Sequence, residues 1–263
     1  MTAAVGRKQT TSAQPFADYA RYYDLLYRDK DYAGEAAYVA RTLCAAAPNA
    51  RSVLELGSGT GRHGRLLAAM GFDVFGIERS PDMAASAEAV TTTGAGSFSC
   101  AVGDARTAEL ERRFDAVIAL FHVASYQTAD ADLRAMFATA SRHLLPEGVF
   151  LFDVWHGPAV LAQRPERRVK RVADTALEVI RTAMPRLDVE RHTVNVTYDV
   201  ECRDRQSGEV VRFSEDHLVR YLFPEEIGQL AAGAGMRTIK SEELVAGRPP
   251  SPATWSVAYL LQK

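Results

Sequence analysis

Three glycines at alternate positions constrain this chain more than any other feature. In VLELGSGTGRHGRLLAAM, Gly57, Gly59 and Gly61 separate an apolar strand from an apolar helix. Glycine at such a turn accepts positive φ and lets a ligand approach the backbone without meeting a Cβ. The free N–H groups that open the helix then face that ligand. A dinucleotide-binding turn needs G-x-G-x-x-G, and here Arg62 stands where the third glycine belongs. An acid, Glu55, also sits inside the strand end, where it would repel a pyrophosphate but suit a ligand carrying an ammonium group.

The surrounding pattern alternates strands with helices. SVLEL, FDVFGIE, SFSCAVGD, FDAVIALF and GVFLFDVW read as strands, with GRHGRLLAAM, PDMAASAEAV and DADLRAMFATASRHLL as helices between them. That order implies an α/β fold with a parallel sheet covered on both faces. Upstream, FADYARYYDLLY and YAGEAAYVARTLCAAA have helical spacing around a polar break at RDKD. After Trp155 the alternation stops. Four segments rich in β-branched residues, from RRVKRVADT to EVVRFSEDHLVRYLF, predict a small inserted antiparallel sheet. The α/β pattern resumes with PEEIGQLAAGAG and the closing pair TIKSEELV and TWSVAYLLQK. The expected organisation is a disordered tail over 1–15, lid helices and the α/β core over 16–157, the inserted sheet over 158–222, and the rest of the core over 223–263.

Bulk properties exclude several classes. At 263 residues and net charge −2, no global field draws nucleic acid or an anionic membrane. No apolar run approaches the roughly 20 residues of a membrane span. MTAAVGRKQTTSAQP lacks the apolar stretch of a secretory signal. Cys44, Cys100 and Cys202 form neither a disulfide framework nor a zinc spacing, so no metal is expected, and the thiols read as buried residues of a reducing cytoplasm.

The acids continue along successive strand ends. Glu78 closes the strand after the glycine turn, where it could accept both ribose hydroxyls of a nucleoside. Asp104 ends the third strand within reach of an adenine amino group, and Met83 opens the next helix, where a thioether could cover the adenine face. With Glu55 and the glycines, these residues make the chain resemble the class I S-adenosylmethionine-dependent methyltransferases, over roughly residues 35–155 by motif. The resemblance implies a Rossmann-like seven-stranded sheet with its last strand antiparallel, S-adenosylmethionine as cofactor, and cofactor contacts from Glu55, Gly57, Ser58, Gly59, Glu78, Arg79, Met83, Asp104, Ala105, Leu120 and Phe121. Gly61 reads as a glycine of helix packing.

YYDLLYRDKDYAGE is similar to the lid of N-methyltransferases that act on nucleotide-linked (dTDP) amino-deoxysugars in antibiotic assembly. In that group Tyr23 and Tyr32 would lie against the methionine end of the cofactor. Tyr126, in ALFHVASYQT, matches a position beside the acceptor nitrogen, with His122 as the second candidate for catalysis. Trp155 and His156 follow at the strand end, and His217 and Arg220 close the insertion, the latter in an otherwise apolar strand. These four are expected substrate contacts, an arginine fork being suited to pyrophosphate. The basic run Arg164–Arg171 reads as a solvated strand face. A small-molecule O-methyltransferase, another small-amine methyltransferase and a non-catalytic cofactor-binding module stay open as alternatives. An NAD enzyme is disfavoured by Arg62. An exposed edge of the inserted sheet could pair two copies into a homodimer.

Overall fold

The computed structural model describes residues 9–12, 19–90 and 92–263. In chain order it contains β1 (Gln9–Ser12), α1 (Tyr23–Leu26), α2 (Tyr32–Ala46), β2 (Ser52–Leu56), α3 (Arg62–Ala69), β3 (Asp73–Glu78), α4 (Pro81–Glu88) and β4 (Ser97–Val102). There follow β5 (Phe114–Ala119), α5 (Asp130–His143), β6 (Leu144–His156) and α6 (Gly157–Gln163). The four strands β7 (Arg168–Ala173), β8 (Leu177–Asp188), β9 (Thr193–Asp204) and β10 (Val210–Leu222) come next, then α7 (Pro224–Gly233), β11 (Arg237–Glu243) and β12 (Ser256–Gln262). The described residues separate into two compact units, those up to Lys30 with Arg164–Val219, and Asp31–Gln163 with Arg220–Lys263.

The larger unit is the α/β core. β4, β3, β2, β5 and β6 pair in parallel in that order, β12 runs antiparallel to β6, and β11 antiparallel to β12. Seven strands with the last one in the chain antiparallel is the arrangement that the resemblance implies. Their near-continuous apolar runs follow from burial on both faces. Leu54, Val117, Phe150 and Phe152 meet Phe137 of α5 and Ile227 of α7 on one face, while Val53, Ile118 and Leu151 meet Val39 and Leu43 of α2 and Leu67 of α3 on the other. Period-2 alternation along each strand sends neighbouring residues to opposite layers. Helix starts follow local chemistry: Asp31 accepts the Gly34 N–H at 2.8 Å to cap α2, and Ser80 with Pro81 opens α4.

The smaller unit is built on β7, β8 and β9, paired antiparallel, with β10 next to β9 and β1 parallel to β10. Tyr19, Tyr22 and Leu26 pack with Val172, Val179, Val200 and Phe213 as its core.

Several expectations change. Residues 9–12 of the expected tail form a strand, because their backbone finds partners on β10 from Arg212 to Glu215. The remainder of that tail lies outside the described residues. Of the helix expected over FADYARYYDLLY, residues 16–18 lie outside the described residues, and the described part forms a turn of 3-10 helix, Tyr19–Tyr22, and the single-turn α1. Boundaries expected at 158 and 222 fall at Arg164 and Val219, and residues up to Lys30 group with the inserted strands because their aromatic side chains join that core. Helix α6 was not expected. Of the three free thiols only Cys202 is buried, with Cys100 partly exposed and Cys44 exposed.

Candidate active site

The glycine turn joins β2 to α3 at the carboxyl edge of the core sheet. Gly57, Gly59 and Gly61 have φ of +70°, +57° and +72°. A Cβ on Gly61 would lie 2.6 Å from the Phe98 ring, so this glycine serves helix packing, whereas a Cβ on Gly59 would meet nothing within 4 Å. Gly59 faces open space. Its N–H donates to Glu78 Oε2 at 2.8 Å, and the Ser80 N–H donates to Oε1 at 2.8 Å. Each oxygen of Glu78 keeps a second acceptor direction. The Ser58 side chain turns inward to Cys100 Sγ at 3.2 Å, leaving its backbone to form the turn.

Glu55 is 2% exposed, and its Oε2 finds no partner among the described residues. Burial first, then repulsion from Glu78, pushes its pKa up to about 8 against a pull from Arg65. A buried carboxylate with an unpaired oxygen is costly. It is the complement of a cationic ligand. Along the same edge Met83 and Ala105 are buried and Arg79 is exposed. Asp104 is engaged with Arg106, whose Nε and Nη2 reach it at 2.9 and 2.6 Å and whose backbone N–H adds a third bond at 2.9 Å. The Arg106 hydrogen bond holds the Asp104 carboxyl below its usual range despite burial. An adenine amino group would share this carboxylate with Arg106.

After β5 the backbone turns sharply. Leu120 is buried, and Phe121 and His122 both have left-handed φ, +63° and +66°, which non-glycine residues adopt at a cost. Asp153, wholly buried on β6, compensates: its Oδ1 accepts the His122 N–H at 3.1 Å and its Oδ2 accepts Ser256 Oγ–H at 3.1 Å. His122 Nδ1 lies 2.7 Å from Asp153 Oδ2, within ion-pair range but short of hydrogen-bond alignment. Burial pushes the Asp153 carboxyl up, yet His122 and the hydrogen bonds outweigh it and hold it down. The His122 ring stands edge-on to Trp155, with centroids 6.3 Å apart. Tyr126 ends the 3-10 turn Val123–Tyr126, half-buried.

Of the expected lid pair, Tyr32 is buried at the start of α2, its ring 4.9 Å from His63 and under the Arg62 guanidinium. Tyr23 belongs to the smaller unit and packs on Tyr27, centroids 4.8 Å apart. Of the expected substrate residues, Trp155, His156 and Arg220 belong to the larger unit and His217 to the smaller. Arg220 does not present a free fork: Nη1 pairs with Asp130 at 2.5 Å and Nη2 with Glu226 at 2.6 Å, because both acids lie at helix starts beside the end of β10. His217 is 1% exposed among Tyr19, Tyr198 and Glu215 in the smaller unit, a core position rather than a surface one. His156 is buried, which lowers its pKa and keeps it neutral. Trp155 remains half-buried at the strand end, edge-on to Trp255.

Two groups escape sequence reasoning. Asp153 reads as one polar residue in an apolar strand, and only the fold brings it under His122. Glu35 pairs with His63 at 2.7 Å, from α2 to the first turn of α3. Acids at the first turn of one helix and a histidine at the start of another carry no sequence signal of their own.

A parallel sheet with an antiparallel β12, and two buried acids around a glycine turn with open space above Gly59, define a nucleoside-binding α/β fold of the methyltransferase class. The unpartnered Glu55 oxygen and the open face of Gly59 fit a cationic, phosphate-free nucleoside. Comparison with known proteins agrees. A family model described as a methyltransferase domain matches residues 53–148. A Streptomyces venezuelae protein named dTDP-3-amino-3,4,6-trideoxy-alpha-D-glucopyranose N,N-dimethyltransferase is 30% identical over 243 residues, 88% of this chain and 95% of its own. The structure of DesVI from Streptomyces venezuelae matches with a TM-score of 0.77 at 27% identity, over 93% of this chain and 98% of that one. The sugar N-methyltransferase KedS8 from a Streptoalloteichus species matches with a TM-score of 0.80 at 26% identity, over 98% of each. The chain belongs to the S-adenosylmethionine-dependent methyltransferase family. It is an enzyme of that class, with S-adenosylmethionine as its cofactor.

Proposed function

We propose that this enzyme methylates, once or twice, the amino group of a dTDP-linked amino-deoxysugar in natural-product assembly. The observation that carries this reading is the similarity along 88% of the chain to a dTDP-amino-sugar N,N-dimethyltransferase. Glu55 would pair with the cofactor's ammonium group, Glu78 with its ribose hydroxyls, and the backbone at Gly57 and Gly59 would lie against it. Met83, Asp104 and the Leu120–Phe121 main chain would flank the adenine, and Tyr32 the methionine end.

Bound S-adenosylmethionine supplies an electrophilic methyl group on a sulfonium. The chain's own task is to hold a neutral amine with its lone pair in line and to exclude water. Positioning of this kind can supply roughly 7–11 kcal/mol of the barrier, and dispersal of the sulfonium charge favours a dry site. Tyr126 would orient the amine. His122 Nε2, with Nδ1 directed at Asp153, would take the proton that the ammonium product releases. A hydroxyl acceptor is the second reading, and the His122–Asp153 pair is what favours it, because a sugar hydroxyl needs a committed base. Incubation with S-adenosylmethionine and a panel of dTDP-amino-sugars, read by mass, tests the proposal. Gains of one or two methyl groups on an amino-sugar support it; gain only on hydroxylated acceptors favours the second reading.

A further inference from the structure

Both tryptophans of the chain, Trp155 and Trp255, meet at the carboxyl edge of the core sheet. Trp155 lies one residue before the end of β6 and pairs with Ser256, which opens β12, so Trp255 reaches the same edge from the antiparallel neighbour. The two indoles stand at 89° with centroids 5.8 Å apart, and the His122 ring stands edge-on to Trp155 at 6.3 Å. Period-2 alternation puts Trp155 on the same face of β6 as Asp153, the acid beneath His122. All of these residues belong to the larger unit. Both indoles are half-buried, so each keeps surface for a ligand.

Trp255 is held in place from several sides. Its Nε1–H donates to Gln163 Oε1 at 2.8 Å, and its carbonyl accepts the His156 N–H at 3.0 Å. Gln163 Nε2 donates at 2.8 Å to the Pro252 carbonyl of the same turn, so one side-chain amide clamps the turn and the ring together. An indole has a single polar group, its N–H. With that group taken by Gln163, the ring offers only carbon and π surface. Sugar carbon that bears hydrogen alone gains from such a surface, whereas a hydroxyl pressed against it gives up a hydrogen bond to water and finds no replacement.

We propose that Trp255, braced by Trp155, is the specificity-determining residue that recognises a deoxygenated edge of the acceptor sugar. The proposal rests on the amino-deoxysugar reading and deepens it: Tyr126 and His122 attend to the amine, and Trp255 senses which ring positions lack a hydroxyl.

The test follows tryptophan emission of the full chain saturated with adenosylhomocysteine, a signal confined to this corner because the chain has no other tryptophan. The ligands are a dTDP-amino-deoxysugar, its counterpart with the missing hydroxyls restored, and dTDP. Wild-type emission should change with the deoxysugar, and most of that change should be lost in Trp255→Phe. In turnover, Trp255→Ala is expected to lower kcat/KM for the deoxysugar about 10- to 100-fold and for the hydroxylated sugar by less than about threefold, with Trp255→Phe between it and the wild type. Adenosylhomocysteine binding reports that each variant is folded. A kcat/KM for the deoxysugar within about twofold of wild type in Trp255→Ala overturns the proposal, as does an equal loss on both sugars. Loss of affinity for dTDP itself in Trp255→Ala also overturns it, by assigning the indole to the nucleotide base. Should Trp255→Ala not fold, the wild type decides: an emission change with the deoxysugar that dTDP does not produce supports the subsite, and no change at saturation refutes it. The two readings fail separately. Methylation of amino-sugars with discrimination unaltered in the variants removes the subsite alone, and a Trp255-dependent emission change with the deoxysugar, without methylation of any amino-sugar, removes the substrate reading alone.

Discussion

Glu55 couples cofactor binding to pH. Its pKa of about 8, raised by burial and by Glu78, makes it protonated in roughly nine of ten empty molecules at pH 7. A ligand ammonium beside this carboxyl stabilises the carboxylate, so binding must expel that proton. About 0.9 proton per adenosylhomocysteine bound should then leave at pH 7, measurable by calorimetry in buffers of different ionisation enthalpy. The ionised fraction grows from about 1% at pH 6 to half at pH 8, so affinity should rise about 50-fold across that interval. Glu55→Gln should abolish the proton release, flatten the pH dependence and weaken binding at pH 8 about 10- to 100-fold. In the empty protein the same group works in the opposite sense. A folded pKa above the unfolded one makes its contribution to stability complete below pH 4.5 and lost as pH rises through 8, about 5 kcal/mol in full. The thermal midpoint of the empty protein should therefore fall over that range, and less steeply in Glu55→Gln. Binding that is independent of pH from 6 to 8 with no proton released would refute the whole argument.

Other consequences follow from the same geometry. With an amine acceptor, His122→Ala should keep kcat within about tenfold of wild type, and Asp153→Asn should do the same while destabilising the fold; loss of about 10³-fold or more in turnover with intact cofactor binding would assign a hydroxyl acceptor. Gly61→Ala meets both a left-handed φ and the Phe98 ring, and should lower unfolding free energy by about 2–4 kcal/mol in denaturant titration; a change under about 0.5 kcal/mol would contradict the packing role. Arg220→Ala should cost about 1 kcal/mol, since Asp130 is exposed and Glu226 only partly covered, and should leave dTDP affinity unaltered; a weakened dTDP affinity would return Arg220 to the substrate.

Much of the core was legible because its signals are local. SVLEL, FDAVIA and their partners are short apolar runs punctuated by glycine, and a parallel sheet buried on both faces needs nothing else to be recognised. Glu55 and Glu78 stood out because each breaks such a run at its carboxyl end. The substrate side was harder to read, since its logic is tertiary. Arg220 looked free because its acceptors lie 90 residues upstream at Asp130 and one helix start downstream at Glu226. His217 looked like a cleft residue, but period-2 alternation on β10 sends it inward with Phe213 and Glu215. Trp255 sits at the start of a closing strand whose pattern gives no sign that Gln163, 92 residues upstream, will take its N–H. Asp153 is invisible for the same reason: the turn it steadies at His122 belongs to a different strand end.

Glu78 does two jobs with one carboxylate. The group assigned to a nucleoside's sugar also tethers the Gly59 and Ser80 amides, so ligand recognition and loop shape share a single atom set. Replacing it would loosen the very surface against which any nucleoside is judged, whatever that nucleoside carries. A redesign for a different cofactor would have to leave this acid alone and begin at Asp104 or Met83, where a change in contact does not undo the turn.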